Sequence, residues 1–302
     1  MGGKNMTLIY TVNQSSYTTV KEVLLSHFGI SHRLLTKLKR ENAILLNHVP
    51  CFVNEKICEG DTIEVCMDYV EENDNIVPTS MPLSILKETE GYLIVNKPAH
   101  MPVHPSCYHF ADTLSNGIRF YFDSIDLKKK IRPVNRLDAD TTGIVIFAKN
   151  EYIQENFIRQ MKQNTFQKYY LAITEGFWEK KKGIIDKPIA RKEGSIMERE
   201  ISPLGERAIT YYEVLQEYTL QDMPISILLC KLETGRTHQI RVHLSSMGHP
   251  LLGDSLYGGN TNWIGRQALH SYQIEFLDPI THKKEKIQAP IPEDMLYFLQ
   301  NI

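Results

Sequence analysis

The chain has 302 residues, 42% hydrophobic and 23% charged, and its 34 Lys and Arg against 36 Asp and Glu give a formal net charge of −2. That composition suits a soluble globular protein with room for one large domain and one small one, and it excludes a disordered chain. The near-neutral balance excludes a non-specific polyanion binder while leaving room for a local basic patch.

In chain order, the opening Met1-Gly2-Gly3-Lys4-Asn5-Met6 has neither the apolar stretch of a signal peptide nor the Ser or Thr of a myristoylation site. The five cysteines (51, 58, 66, 107 and 230) include no C-x-x-C pair, so neither a disulfide framework nor a zinc finger is expected. The longest apolar runs, such as Ile225–Cys230, are too short to span a bilayer. The expectation is a cytoplasmic chain with no membrane partner.

Residues 1–66 read as a small module of two helical patterns followed by short strands. Ser31 caps a helix with Leu34, Leu35 and Leu38 on its buried side. Arg33, Lys37 and Arg40 form a stripe at i, i+4 and i+7, either an RNA-facing surface or simply a solvated helix face. Asn47-His48 and Gly60-Asp61 mark turns beside the strands Ile44–Leu46 and Thr62–Val65. This order is similar to the RNA-binding module first described in a small-subunit ribosomal protein, which implies RNA contact by Arg33, Lys37 and Arg40. Residues 67–82, acidic and with two prolines, read as a linker.

From 83 to 302 short strands alternate with occasional helices, a mixed α+β pattern rather than a βαβ series. Gly91–Val95, Lys168–Thr174 and Ile225–Leu232 are strand candidates. Asn150 caps a helix with Ile153, Phe157, Ile158 and Met161 on one side. Thr237–Met247 reads as a helix ended by Gly248, and Met295, Leu296 and Leu299 mark a final one.

The most informative stretch is Asn135-Arg136-Leu137-Asp138-Ala139-Asp140-Thr141-Thr142-Gly143, running directly into the apolar Ile144–Ala148. A carboxylate, small hydroxyl residues and a glycine suited to positive φ precede a buried strand. Taken alone, this pattern also fits a structural ion pair. Its wording resembles the Arg-Leu-Asp-x-x-Thr-Ser-Gly signature of the ribosomal-large-subunit-type (Rlu) pseudouridine synthases. Further stretches agree with that family in order: Val95-Asn96-Lys97-Pro98, Pro102-Val103-His104-Pro105, Lys168-Tyr169-Tyr170-Leu171-Ala172, Gly205–Thr210 with Tyr212, Gly235–His243, Gly253–Gly258 and Arg266–His270.

The resemblance implies a mixed, largely antiparallel sheet with flanking helices and a central cleft, preceded by the small α+β module. It implies isomerisation of uridine to pseudouridine in RNA, ribosomal RNA first and transfer RNA second, by a monomer. The reaction has no redox step and no phosphate donor, so no cofactor and no metal are expected. It does need a carboxylate near C1′, a hold on the freed base and a way to extract the nucleotide from its stack.

The resemblance makes Asp138 the nucleophile, attacking C1′ or C6, with Arg241 keeping it ionised and Tyr170 stacking the uracil. Tyr169 is the alternative, since strand alternation lets only one of the pair face a site. Arg136 enters the RNA as a wedge or binds a phosphate. Lys97 supplies positive charge near the site for RNA, or forms a structural ion pair. Two departures stand out: Asn135 replaces a common His, and Lys97-Pro98-Ala99-His100 replaces Lys-Pro-Ala-Gly. Asp140 is expected to order the loop rather than act as a second catalytic carboxylate.

Catalytic zinc is disfavoured. His238 and His243 stand five apart, about 140° around a helix, unlike the i, i+4 pair of a metalloprotease. A non-catalytic RNA-binding protein on a synthase fold is the alternative reading, and the joint presence of Asp138, Tyr170 and Arg241 argues against it.

Overall fold

The computed structural model describes residues 6–13, 17–73 and 75–299, so the expectation drawn from Met1–Asn5 lies outside it. The N-terminal unit holds β1 (Thr7–Thr11), β2 (Ile44–Leu46), β3 (Val49–Pro50) and β4 (Thr62–Cys66), in the sheet order β1-β4-β2-β3. The first strand was not legible in the sequence: in Thr7–Thr11 only Leu8 is buried, so the short edge strand shows no clear alternation. The β2–β3 turn is made by Asn47 and His48, both at positive φ (51° and 68°), as a two-residue hairpin loop requires. As expected, Ser31 Oγ accepts from Leu34 N–H at 3.1 Å and starts the helix His32–Arg40, which buries Leu34, Leu35 and Leu38.

The larger unit contains β5 (Ser84–Glu88), β6 (Tyr92–Lys97), β7 (Arg132–Pro133), β8 (Thr142–Ala148), β9 (Gln167–Glu175), β10 (Lys182–Asp186), β11 (Ile189–Arg191), β12 (Arg199–Ile201), β13 (Ile209–Leu220), β14 (Met223–Leu232), β15 (Leu269–Leu277) and β16 (Lys284–Gln288). Ten of these form one sheet with the path β10-β13-β14-β9-β15-β8-β6-β5, while β16 pairs with β15 and β7 with β8. Every pairing in this sheet is antiparallel except β15 with β8. The fold is therefore the mixed, mostly antiparallel α+β architecture expected. β11 and β12 make a separate hairpin.

All seven residues of β8 are buried, because both faces of the sheet are covered there. Strand alternation divides them. Val145 and Phe147, with Leu93 and Val95, pack under the helix Leu114–Ser124. Ile144, Ile146 and Ala148, with Tyr92 and Ile94, face the helix Glu151–Lys162 and share one continuous core with the N-terminal unit. Asn150 Oδ1 caps the latter helix by accepting from Ile153 N–H at 3.0 Å. Ile158, grouped with Ile153 and Phe157 by periodicity, is 39% exposed while those two are buried.

The stretch 67–82 connects the two units but is not a solvated linker. Met67, Tyr69, Glu71 and Ile76 are all buried. Glu71 accepts from both Nη atoms of Arg132 at 2.8 and 2.6 Å and lies 2.5 Å from Lys37 Nζ. Burial pushes the Glu71 carboxyl up, but the Arg132 and Lys37 hydrogen bonds and charges outweigh it and hold the group at about 2. Lys37 also donates to Glu151 Oε2 at 3.0 Å. The basic stripe is thus interrupted: Arg33 and Arg40 remain exposed, while Lys37 is spent on a carboxylate cluster joining the units and does not present itself to RNA.

Candidate active site

A cleft of about 910 Å³ opens over the middle of the large sheet, lined among others by Arg136, Asp138, Lys168, Tyr170, His238 and Arg241. Three expected residues, Asp138, Tyr170 and Arg241, thus meet in one place although up to 103 positions apart in the chain.

Asp138 sits on the connection between β7 and β8, and the sequence around it locks that connection. Asn135 Nδ2 donates to the Ile144 carbonyl at 2.9 Å, and its Oδ1 accepts from Ile146 N–H at 3.0 Å. The amide therefore acts as a short extension of the sheet. Thr141 N–H closes a turn onto the Asp138 carbonyl at 3.1 Å. Arg266 Nη1 donates to the Asp140 carbonyl at 3.1 Å. Gly143 has φ of +109°, and a Cβ there would come within 2.7 Å of Ser271 N, so only glycine suits the β8–β15 approach.

Lys97 overturns the expectation of an RNA-facing charge. It is wholly buried, and its Nζ donates to the carbonyls of Pro98, Met101 and Ala139 at 2.8, 2.8 and 2.7 Å. Three acceptors match the three N–H bonds of an ammonium. Burial pushes its pKa down to about 7, opposed by the charges of Asp140 and Asp138. Lys97 is a scaffold that ties the Asp138 loop to the turn at Pro98–Met101. At that turn His100 occupies φ +57°, a region glycine enters without strain, and its Nδ1 lies 2.7 Å from Asp140 Oδ1. Asp140 orders the loop there.

Arg241 projects from the helix Gln239–Ser245, shorter than expected because His238 takes a left-handed conformation at φ +57°. Arg241 Nη1 donates to Asp138 Oδ2 at 3.1 Å. Its Nε and Nη2 are gripped by both carboxylate oxygens of Asp254 at 2.7 and 2.8 Å. The Tyr257 ring centroid lies 5.0 Å from its Cζ. Burial alone would lower the Arg241 pKa; Asp254, then Asp138, outweigh it and raise it. His238 lies with Nε2 3.8 Å from Asp138 Oδ2, and its Nδ1 shares a hydrogen bond of 2.8 Å with Tyr257 Oη. Burial lowers the His238 pKa, against the pull of Asp138, so neutral imidazole is favoured at pH 7.

Strand alternation selects Tyr170. It faces the cleft from β9, while Tyr169 points to the opposite face beside Tyr211 and Lys231. Burial pushes the Tyr170 hydroxyl up to about 12, so it stays protonated. Arg136 is exposed at the cleft edge. His243, by contrast, is structural: its Nδ1 pairs with Thr210 Oγ1 at 2.9 Å and its Nε2 with the Lys187 carbonyl at 3.0 Å. Among the described residues no group of three or more His, Cys, Asp or Glu is placed to hold a metal.

Sequence reasoning missed Asp254, His238 and Lys168 as members of the site. Asp254 and His238 lay inside recognised motifs, yet nothing in their spacing says which side chain turns to Arg241 or Asp138.

Residues 91–246 match the family described as RNA pseudouridylate synthase. The chain is similar to the uncharacterized RNA pseudouridine synthase YjbO of Bacillus subtilis (strain 168), 37% identical over 278 residues, covering 92% of this chain and 96% of that protein. It is also similar to ribosomal large subunit pseudouridine synthase D of Blochmanniella floridana, 33% identical over 319 residues, covering 97% and 96% respectively. Among solved structures it resembles human RNA pseudouridylate synthase domain containing 1, with a TM-score of 0.59 and 27% identity over 71% of this chain and 86% of that one.

Proposed function

Because the chain belongs to the RNA pseudouridylate synthase family, whose members isomerise uridine in RNA, we propose that it acts on ribosomal RNA with Asp138 as the nucleophile. The observation that carries the reading is the Asp138 carboxylate held at the cleft by an arginine that is itself fixed by a second, buried carboxylate. A guanidinium anchored in this way holds its hydrogen bond to Asp138 without swinging away, so the carboxylate is positioned before substrate arrives.

In this mechanism the uridine leaves its stack and enters the cleft, with Arg136 filling the vacated place. The Asp138 carboxylate adds to C1′, or to C6 of the base, and the C1′–N1 bond breaks. The freed uracil turns against the Tyr170 ring, C5 bonds to C1′, the bond to Asp138 breaks and returns the carboxylate, and the C5 proton is lost while N1 takes one up. Atoms balance with no donor and no redox change. Arg33 and Arg40, still exposed on the N-terminal unit, extend the RNA contact beyond the cleft. The ribosomal target is inferred from the similarity to the large-subunit synthase of Blochmanniella floridana.

The test is tritium release from an unmodified large-subunit ribosomal RNA transcript carrying 5-tritiated uridine, comparing wild type with Asp138→Asn. Release by wild type alone is expected. Release by both proteins refutes the role of Asp138. Release by neither, with RNA still bound, refutes the ribosomal target and moves the search to other RNAs.

A further inference from the structure

The cleft is lined by six cations (Arg136, Lys162, Lys168, Arg199, Arg236 and Arg241) and only two carboxylates, Asp138 and Glu233. Both carboxylates are engaged. Asp138 accepts from Arg241. Glu233 accepts from Arg207 Nη2 at 3.0 Å and from the Tyr211 hydroxyl at 2.7 Å.

Most of the cations are engaged as well. Arg241 is gripped by Asp254, Arg236 pairs with Glu206, and Arg199 Nη1 donates to the carbonyls of Met197 and Glu198. Arg136 and Lys162 are exposed, where water satisfies them.

Lys168 is different. It is half-buried in the cleft, and no carboxylate lies within 4.0 Å of its Nζ and no acceptor within hydrogen-bond distance among the described residues. Burial lowers its pKa with nothing opposing. A half-buried ammonium with no protein acceptor is left to the water of the cleft, and an arriving anion supplies the charge partner it lacks. Gly235 borders Lys168, and a Cβ at that position would lie 3.4 Å from Nζ.

Placement supplies the ligand. Lys168 and Tyr170 sit two residues apart on the same face of β9, roughly 6–7 Å along the strand. With the base against Tyr170, the anionic part of the same nucleotide falls about one such step away. We propose that Lys168 anchors a phosphodiester of the target nucleotide, so that the ammonium gains its missing partner only when the uridine has entered the cleft. This rests on the RNA isomerase reading above. It makes Lys168 a residue of substrate capture, whereas Arg241 governs the nucleophile.

The experiment compares wild type, Lys168→Met, Lys168→Gln and Lys168→Arg, using the same unmodified ribosomal transcript for tritium release and for equilibrium binding across a salt series. Wild-type release is the control for the underlying reading, and its absence would strike that reading alone, since the binding arm still tests Lys168. Expected for both neutral variants are a KM raised about tenfold, kcat within about threefold of wild type, and a salt slope shallower by roughly 0.7–0.9. Arg is expected to restore all three, and melting temperatures are expected to hold because Lys168 makes no ion pair or hydrogen bond within the described residues. The proposal is overturned if kcat falls at unchanged KM with a displaced pH profile, which marks a proton-transfer role. It is equally overturned if KM and salt slope stay at wild-type values in a folded variant.

Discussion

Asp254→Asn separates the positioning of the nucleophile from the nucleophile itself. Asp254 and Arg241 have side chains only 1% and 8% exposed, joined by two bonds of 2.7 and 2.8 Å. Asparagine keeps one acceptor but sets an amide N–H₂ against a guanidinium N–H, so one bond becomes a donor–donor contact and the ion pair is lost. Breaking a buried pair by removing one partner costs about 3–5 kcal/mol. Here Asp138 and the Tyr257 face still compensate Arg241, so the lower end applies, about 3 kcal/mol. For a chain of this length that lowers the melting temperature by about 5 °C. The larger effect is expected in catalysis. Arg241 loses the grip that aims Nη1 at Asp138, and a misplacement near 1 Å costs about 100-fold in rate. Tritium release under saturating RNA should therefore show kcat reduced about 100-fold with KM little changed. A variant with the expected melting shift and kcat within about threefold of wild type would refute the argument that Asp254 aims Arg241.

Glu71 makes stability depend on pH. Its carboxyl falls from an ordinary 4.5 to about 2 on folding, so its contribution is fully present above pH 4.5 and is lost as pH falls toward 2. That difference corresponds to about 3 kcal/mol. Urea unfolding of wild type and Glu71→Gln should show a wide gap at pH 7 that shrinks by more than half at pH 3; an equal gap at both pH values counts against the Arg132–Glu71–Lys37 cluster as its source. Gly143→Ala should destabilise by about 3 kcal/mol or more, since a Cβ at φ +109° collides with the Ser271 backbone. Urea titration at pH 7 checks it, and an unfolding midpoint like wild type would show that β8 and β15 separate freely there.

Local chemistry determined much of this protein before any tertiary contact was known. The apolar run Ile144–Ala148 specified a buried strand, Ser31 and Asn150 specified helix starts, and Asn47-His48 specified a turn, because each signal acts within a few residues. The ordered motifs named Asp138, Tyr170 and Arg241 together, and alternation along β9 is enough to put Tyr169 and Tyr170 on opposite faces. What the sequence withheld were the partners. Lys37 read as an RNA-facing or solvated charge and Lys97 as a charge near the site or in an ion pair, yet one pairs with Glu71 and Glu151 and the other is sealed beneath three carbonyls. Asp254 and His238 gave no sign that they would turn toward Arg241 and Asp138, and Lys168 gave none that it would be left alone in the cleft. The direction of a side chain along a strand or helix is a local property with a fixed period. Whether a charge meets a carboxylate, a carbonyl or open solvent depends on chain segments brought together from far apart, and only the packed sheet decides that.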